Sequence, residues 1–302
     1  MDNNYYVTII MELNNNYKEV EKELFEEIPP FAKLKFQTSN LLEITYYLTN
    51  VTDKNATIKY LTKFLSNRKT CNLKNLELES TDEDTYPDEL YLYRTWRKRY
   101  NYTKKIIKNS QLHFSNPETF NDPFDSNLQI ELVANEPIDS FKNKIGICCL
   151  SAKGNKILMW SHYADKHNGI CLKFDAKKLR NSLGLKEGKP TSILKVIYDE
   201  EYPKKTDDLQ LKVKKFFSYK HKDWNYEEEY RLIRGEAINE NISFSPEALI
   251  GVIFGCKTSI EVKDELTKIV HRLNKNRQVL IKLYEAQMSS GKFELDIVPY
   301  ND

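Results

Sequence analysis

Two glutamates separated by one residue, Glu227 and Glu229, stand at the start of a predicted strand that continues through Tyr230 and Arg231. Side chains two residues apart on a strand point to the same face, so the two carboxyls should lie close together. Neighbouring like charges raise the pKa of one carboxyl, which suits acid–base chemistry or the stabilisation of a cation. The alternative is a solvated Glu-rich strand start, because Glu228 extends the acidic run.

Three further clusters combine aromatic, small polar and ionisable residues at the ends of predicted elements, where binding residues tend to lie. They are residues 91–94, residues 114–125, and Ser151 together with residues 159–163.

The cluster at 114–125 contains Asn121-Asp122-Pro123, which is typical of a turn. Asp122 and Asp125 could bind a metal, but turn aspartates more often cap their own backbone, and no His lies at a ligand-like spacing. In the third cluster His162 lies mid-helix between aromatic residues, which favours a core or hydrogen-bonding histidine over a general base.

A basic stretch runs from residue 94 to residue 108, where seven Lys or Arg residues and no acid are interleaved with Trp96, Tyr100 and Tyr102. Arg97 and Arg99 within it could contact a nucleic-acid backbone while the aromatic rings stack on bases. The alternative is a solvated helix face that partly balances the acidic residues preceding it.

Composition excludes several classes of protein. The 302 residues are 40% hydrophobic and 30% charged, as in folded proteins, and the net charge of +2 gives no argument for a nucleic-acid or membrane partner. No apolar run approaches the length of a membrane span, and the polar start is unlike a signal peptide. Five cysteines without metal-ligand spacing indicate reduced thiols in the cytoplasm. Glycine-rich nucleotide-binding and HExxH metalloprotease motifs are absent.

The elements predict an α+β protein of two domains. Residues 1–80 alternate as β-α-β-β-α-β, with strands at 5–13, 31–36, 41–48 and 73–78 and helices at 17–28 and 53–66. This is the order of a ferredoxin-like split βαβ domain. Residues 81–89 form an acidic linker, and residues 90–302 form a second α+β domain. Its predicted strands are 111–114, 145–151, 169–174, 194–198, 230–233, 248–254 and 279–284, and its helices are 157–164 and 261–274.

Several motifs of the second domain, in the same order, resemble the bacterial family called domain of unknown function 2971 over about residues 90–295. They are Leu92-Tyr93-Arg94, Leu112-His113-Phe114-Ser115, Phe120-Asn121-Asp122-Pro123-Phe124-Asp125, Met159-Trp160-Ser161-His162-Tyr163-Ala164, residues 169–174, and Trp224-x-Tyr226-Glu227-x-Glu229-Tyr230-Arg231.

The order of these motifs is also similar to that of ADP-ribosyltransferases, particularly DarT-like toxins that modify DNA. In that resemblance Arg94 matches the first position, Ser151 and Tyr163 match the middle region, and Glu227-x-Glu229 matches the third. The Ser-Thr-Ser triplet of the arginine-first class is absent. The resemblance implies a mixed-sheet fold, NAD as a substrate, a nucleic-acid or protein acceptor, and a role as a toxin or anti-phage effector.

The same resemblance implies roles for individual residues. Glu229 would stabilise the sugar cation and Glu227 would orient or deprotonate the acceptor. The residues implied in binding NAD are Arg94, Tyr93, Ser151, Trp160, Tyr163 and Tyr226. The residues implied in binding the acceptor are Asn121, Asp122, Arg97, Arg99 and His162.

Two alternatives remain open from the residues. One is a metal-dependent nuclease or phosphodiesterase that uses Asp122, Asp125, Glu227 and Glu229. The other is a non-catalytic module that binds nucleic acid or protein through the basic stretch, with the aromatic clusters forming the core.

Overall fold

The computed structural model describes residues 3–13, 33–38, 41–51, 71–81, 87–96, 101–126, 145–183, 185–186, 189–203 and 216–301. Within them the protein is a mixed α+β structure with one large mixed sheet, as the sequence predicts.

The N-terminal strands form a four-stranded antiparallel sheet in the order β2-β3-β1-β4. They are β1 (Asn3–Leu13), β2 (Lys33–Thr38), β3 (Leu41–Val51) and β4 (Cys71–Thr81). All four predicted strands are therefore confirmed, with shifted ends. The two predicted helices, 17–28 and 53–66, lie outside the described residues, so the ferredoxin-like domain stays a prediction.

The second part of the chain begins with strand β5 (Glu89–Arg94), helix α1 (Asn101–Asn109) and strand β6 (Gln111–Phe114). The next elements are β7 (Ile145–Ser151), α2 (Ile157–Tyr163), β8 (Ile170–Asp175), α3 (Ala176–Leu183), β9 (Leu185–Lys186), β10 (Lys189–Lys195) and β11 (Ile197–Asp199). The last are β12 (Tyr219–His221), β13 (Glu229–Gly235), β14 (Glu240–Ser243), β15 (Leu249–Phe254), α4 (Ile260–Asn274), β16 (Lys282–Met288) and β17 (Leu295–Pro299).

Nine of these strands form the large sheet, in the order β17-β16-β15-β8-β5-β7-β13-β10-β9. Only β15 and β16 pair in parallel among its described neighbours; the other pairs are antiparallel. Apolar side chains of the central strands, such as Leu92, Leu172 and Leu232, are almost completely buried. Burial on this scale explains why β7 is a near-continuous apolar run.

The sheet opens between β5 and β7. Strand β5 pairs with β8 over six residues and β7 pairs with β13 over seven, but β5 and β7 pair at Tyr91 and Ser151 alone. Further along, the free edge of β7 meets Ser115, which bridges Ile147. The two halves of the sheet therefore diverge and leave a cleft with strand ends on both sides.

No helix among the described residues is both long enough and apolar enough to cross a membrane.

Candidate functional site

The cleft between β5 and β7 holds a cavity of about 430 Å³. Strand β5 contributes Arg94, α2 contributes Tyr163, and the segment leading into β13 contributes Glu227 and Glu229. Arg94, Tyr163 and Glu229, which the ADP-ribosyltransferase resemblance matches to its three positions, thus line one cavity. Its volume lies within the range of small-molecule sites.

The two glutamates reach the cavity by a different local geometry from the one predicted. Glu227 ends a 3-10 helix (Lys222–Glu227), and only Glu229 belongs to the strand. The prediction that strand alternation places them on one face is therefore wrong. Glu228 between them has a left-handed backbone with φ +42°. This turn buries both neighbours and directs Glu228 to an ion pair with Lys156, at 2.6 Å.

Glu227 is held at both carboxyl oxygens. The Tyr163 hydroxyl donates to Oε1 at 2.6 Å, and the Lys220 ammonium donates to Oε2 at 2.6 Å. Ser151 Oγ donates to the main-chain oxygen of Glu227, also at 2.6 Å. Two side chains therefore hold the carboxyl and a third holds the main chain of Glu227, which is 3% exposed.

Glu229 has a different environment because Arg231 lies two residues further along β13. Arg231 donates from Nε and Nη2 to the two Glu229 oxygens, at 2.8 and 3.1 Å. It also donates from Nη1 and Nη2 to both oxygens of Asp125, at 2.8 and 2.6 Å. The arginine is fully buried and binds two carboxylates through its planar fork. Glu229 is thus an ion-pair partner inside the protein as well as part of the cavity wall.

Lys220 lies among the three carboxylates. Its Nζ is 2.6 Å from Glu227, 3.5 Å from Glu229 and 3.6 Å from Asp125. It also lies 4.6 Å from the centroid of the Trp224 ring. Three carboxylates face two cations, Lys220 and Arg231, so the ionised cluster carries one excess negative charge.

The pKa values of Glu227 and Glu229 shift in opposite directions, which identifies Glu227 as the carboxyl with the excess negative charge. Burial raises the pKa of Glu227, and the nearby Lys220 only partly opposes this shift. Burial would also raise the pKa of Glu229, but the charges of Arg231 and Lys220 outweigh it and lower the pKa to about 2. The environments therefore separate the pKa values of the two carboxyls, and the largest cause of the raised Glu227 value is burial rather than the neighbouring charge that the sequence predicts. Glu227 is therefore the more readily protonated of the two carboxyls.

Arg94 supplies positive charge at another part of the cavity wall. It belongs to β5, whereas the acidic cluster lies beyond β7 in the sheet order. Its backbone is closely packed, since a Cβ added at Gly169 would lie 2.3 Å from the Arg94 carbonyl oxygen. His113 also lines the cavity, and burial lowers its pKa, so its imidazole is neutral at neutral pH. The cavity can therefore hold a ligand with an anionic group near Arg94 and a developing cation near Glu227.

Other predicted NAD-binding residues have structural roles. Trp160 is fully buried and its Nε1 donates to the Gly154 carbonyl at 3.0 Å, so the prediction that it stacks on nicotinamide is wrong. Tyr93 is 2% exposed, packs edge-on against Trp160, and donates its hydroxyl to the Lys153 carbonyl. Ser151 orients the Glu227 main chain, as described above.

Of the remaining predicted site residues, two polar ones line the cavity and one aromatic residue lies outside its lining. Asn121 and His162 are exposed and line the cavity, and Asn121 Nδ2 donates to the Tyr163 hydroxyl at 3.2 Å. Its exposure contradicts the core position, one of the two roles that the sequence favours for His162 over a general base. Tyr226 packs against His162 with ring centroids 6.1 Å apart and is outside the cavity lining.

Beyond Arg94, the described side chains of the basic stretch and Asp122 lie outside the cavity lining. Arg97 and Arg99 lie outside the described residues. Lys104 pairs with Glu265 at 3.3 Å and lies over the Trp96 ring, so these two side chains attach the stretch to α4. Asp122 lines a different depression. Within the described part of the chain, no group of three or more His, Cys, Asp or Glu side chains is arranged to hold a metal ion.

Sequence reasoning missed Lys220 as a site residue and assigned Arg231 no role. The alternation of Glu229 and Arg231 along one strand was a usable signal for their ion pair. Lys220 had no such signal, because Lys214, Lys215 and Lys222 surround it with identical side chains.

A family model described as "Protein of unknown function (DUF2971)" matches residues 159–232. Over these residues the chain is similar to the DUF2971 family. The resemblance noted from the motifs is thus confirmed over this segment. The DUF2971 segment begins in α2 and ends in β13, and it contains Tyr163, Lys220, Glu227, Glu229 and Arg231. No curated protein and no solved structure matches the chain significantly.

Proposed function

We propose that the protein is an ADP-ribosyltransferase-like enzyme that uses NAD to modify a nucleic acid or a protein. The observation that supports this most directly is Glu227, a buried carboxyl with a raised pKa that faces a cavity also lined by Arg94. Such a pair complements a substrate with phosphates at one end and a sugar cation at the other.

In the proposed reaction the bond between nicotinamide N1 and ribose C1′ breaks, and its electron pair neutralises the pyridinium ring. Positive charge builds up on the ribose, as in glycoside hydrolysis, and ionised Glu227 stabilises it. A nucleophile of the acceptor then bonds to C1′, and its proton passes to Glu227. Tyr163 and Lys220 keep the carboxyl in place.

This proposal exchanges the roles first expected for the two glutamates. Glu229 binds Arg231 through both oxygens and serves as an anchor for the β13 wall. The same pairing weakens the nuclease alternative, since Asp125 and Glu229 already share a cation that a metal would have to displace.

The proposal includes the wider organisation expected from the sequence. Residues 1–80 would form a ferredoxin-like domain that senses or docks a partner, and the strand order β2-β3-β1-β4 is compatible with it. Together with NAD consumption in the cytoplasm, this organisation would suit a toxin or anti-phage effector.

The test is release of nicotinamide, or transfer of label from NAD to a macromolecule, by the purified protein in the presence of nucleic acid and cell lysate. Glu227→Gln should abolish the activity. Glu228→Gln is the matched control, because Glu228 is the adjacent glutamate and pairs with Lys156 outside the cavity lining. The proposal fails if the unmodified protein leaves NAD intact under all these conditions.

A further inference from the structure

A second depression, of about 530 Å³, borders the cavity at Lys220, which lines both. The turn at 122–124, the segment 199–203 and the segment 219–224 form its walls. We call this depression the acidic groove. Its residues have no part in the proposed NAD chemistry apart from the shared Lys220.

The acidic groove carries a strong excess of negative charge. Five of its lining residues are carboxylates: Asp122, Asp199, Glu200, Glu201 and Asp223. Of the nearby cations, Lys220 is already balanced by the buried cluster, and Lys222 pairs with Glu200. The groove therefore attracts a cation and repels a phosphate backbone.

Exposed aromatic rings stand beside these carboxylates. Phe124 is 59% exposed and Tyr202 is 50% exposed, so both rings are open to a ligand. Tyr219 and Trp224 also line the groove, and Lys220 already lies over the Trp224 ring. Aromatic faces next to carboxylates are the surroundings that bind organic cations, by cation–π attraction together with charge.

Asp122 gives an independent indication of a missing partner. The residue is 4% exposed, and its Oδ1 accepts a hydrogen bond from the Phe124 N–H at 2.9 Å. Its Oδ2 is buried and has no hydrogen-bond partner within the described residues. A buried carboxylate oxygen without a donor is unfavourable, and a donor brought by a ligand would satisfy it.

We propose that the acidic groove binds an arginine side chain presented by an exposed segment of a partner protein. A guanidinium can stack on Phe124 or Tyr202 while its N–H groups donate to carboxylates, Asp122 among them. This binding needs no NAD, so the test is independent of the proposed enzymatic activity.

The probe is N-acetyl-arginine amide, titrated into the full chain labelled with ¹⁵N. The neutral isostere N-acetyl-citrulline amide is the matched control ligand. The protein has three tryptophans, so the indole N–H signal of Trp224 reports on the groove while those of Trp96 and Trp160 serve as internal references. The arginine probe should shift the Trp224 signal saturably, and the citrulline probe should leave it unchanged.

Variants then test the groove residues. Tyr202→Ala should weaken binding about fivefold through loss of a ring face. Asp122→Asn keeps an oxygen acceptor for Phe124 N–H but lacks the charge, and should weaken binding about tenfold. Glu261→Gln removes an exposed carboxylate outside the groove lining and should change nothing.

The proposal is overturned if the arginine probe causes no saturable Trp224 shift, or if the citrulline probe binds equally well. A Trp224 shift caused by a single-stranded oligonucleotide and not by arginine would also overturn it. If Asp122→Asn does not fold, as its ¹H–¹⁵N spectrum would show, the exposed Tyr202 variant decides the question.

Discussion

Replacing Lys220 by Met removes the ammonium group that lies among three buried carboxylates. Its strongest ion pair joins Nζ to Glu227 Oε2 at 2.6 Å, and both side chains are 4% exposed. Removing one partner of a buried ion pair costs about 3–5 kcal/mol, because the other charge stays buried without compensation. Against a typical stability of about 5–15 kcal/mol, such a loss is a large fraction.

Lys222→Met is the matched control. Lys222 is also a lysine in an ion pair, two residues further along, but its side chain and that of Glu200 are 52% and 63% exposed. Exposed pairs contribute about 0–1 kcal/mol. The two variants therefore differ in burial of the pair rather than in the chemistry of the substitution.

The assay is urea unfolding followed by circular dichroism at pH 5 and pH 8. The Lys220→Met loss should be larger at pH 8, because burial raises the pKa of Glu227 and the lower pH favours its protonation, which reduces the excess charge. Losses below about 1 kcal/mol for both lysine variants, with no difference between the two pH values, would refute a buried charge cluster centred on Lys220.

Three other outcomes follow from the site. The folded pKa of Glu229, about 2, lies below its unfolded value, so the unfolded chain binds the proton first and stability falls between about pH 4.5 and pH 2. In denaturant titrations across this range, Glu229→Gln should lose about 3 kcal/mol of that pH-dependent stability; an unchanged slope contradicts the Arg231 pairing. Tyr163→Phe removes the donor to Glu227 and should lower kcat about tenfold or more, whereas Tyr226→Phe, outside the cavity lining, should have little effect in the same nicotinamide assay. Trp160→Phe should lower thermal stability without changing KM for NAD, since the indole is buried; a raised KM with unchanged stability would restore the stacking role.

Much of the fold was predictable because its signals are local. The apolar run of β7 and the amphipathic pattern of α4 identify these elements from their own residues. Strand β17 and the second half of β16 were not predicted. Their sequences, Lys282–Met288 and Leu295–Pro299, alternate only weakly between apolar and polar residues. The two strands pair mainly with each other. The opening between β5 and β7 depends on which strands pair, and no single segment encodes that.

The candidate site, like the fold, was predictable only where its signals are local. The carboxylates at 227 and 229 were identifiable as a close pair, but their different roles depend on Arg231 of the same strand and on Lys220, which comes from another segment. The left-handed turn at Glu228 could not be predicted either, because nothing in an acidic triplet indicates a positive φ. A local pair with Arg231 and a contact with Lys220 from another segment together distinguish the two glutamates.

The most direct measurement is a side-by-side comparison of Glu227→Gln and Glu229→Gln for both nicotinamide release and unfolding free energy. If Glu227 is the working carboxylate, its variant stays folded and loses turnover, while the other variant loses mainly stability. A folded, inactive Glu229→Gln beside an active Glu227→Gln would contradict this assignment.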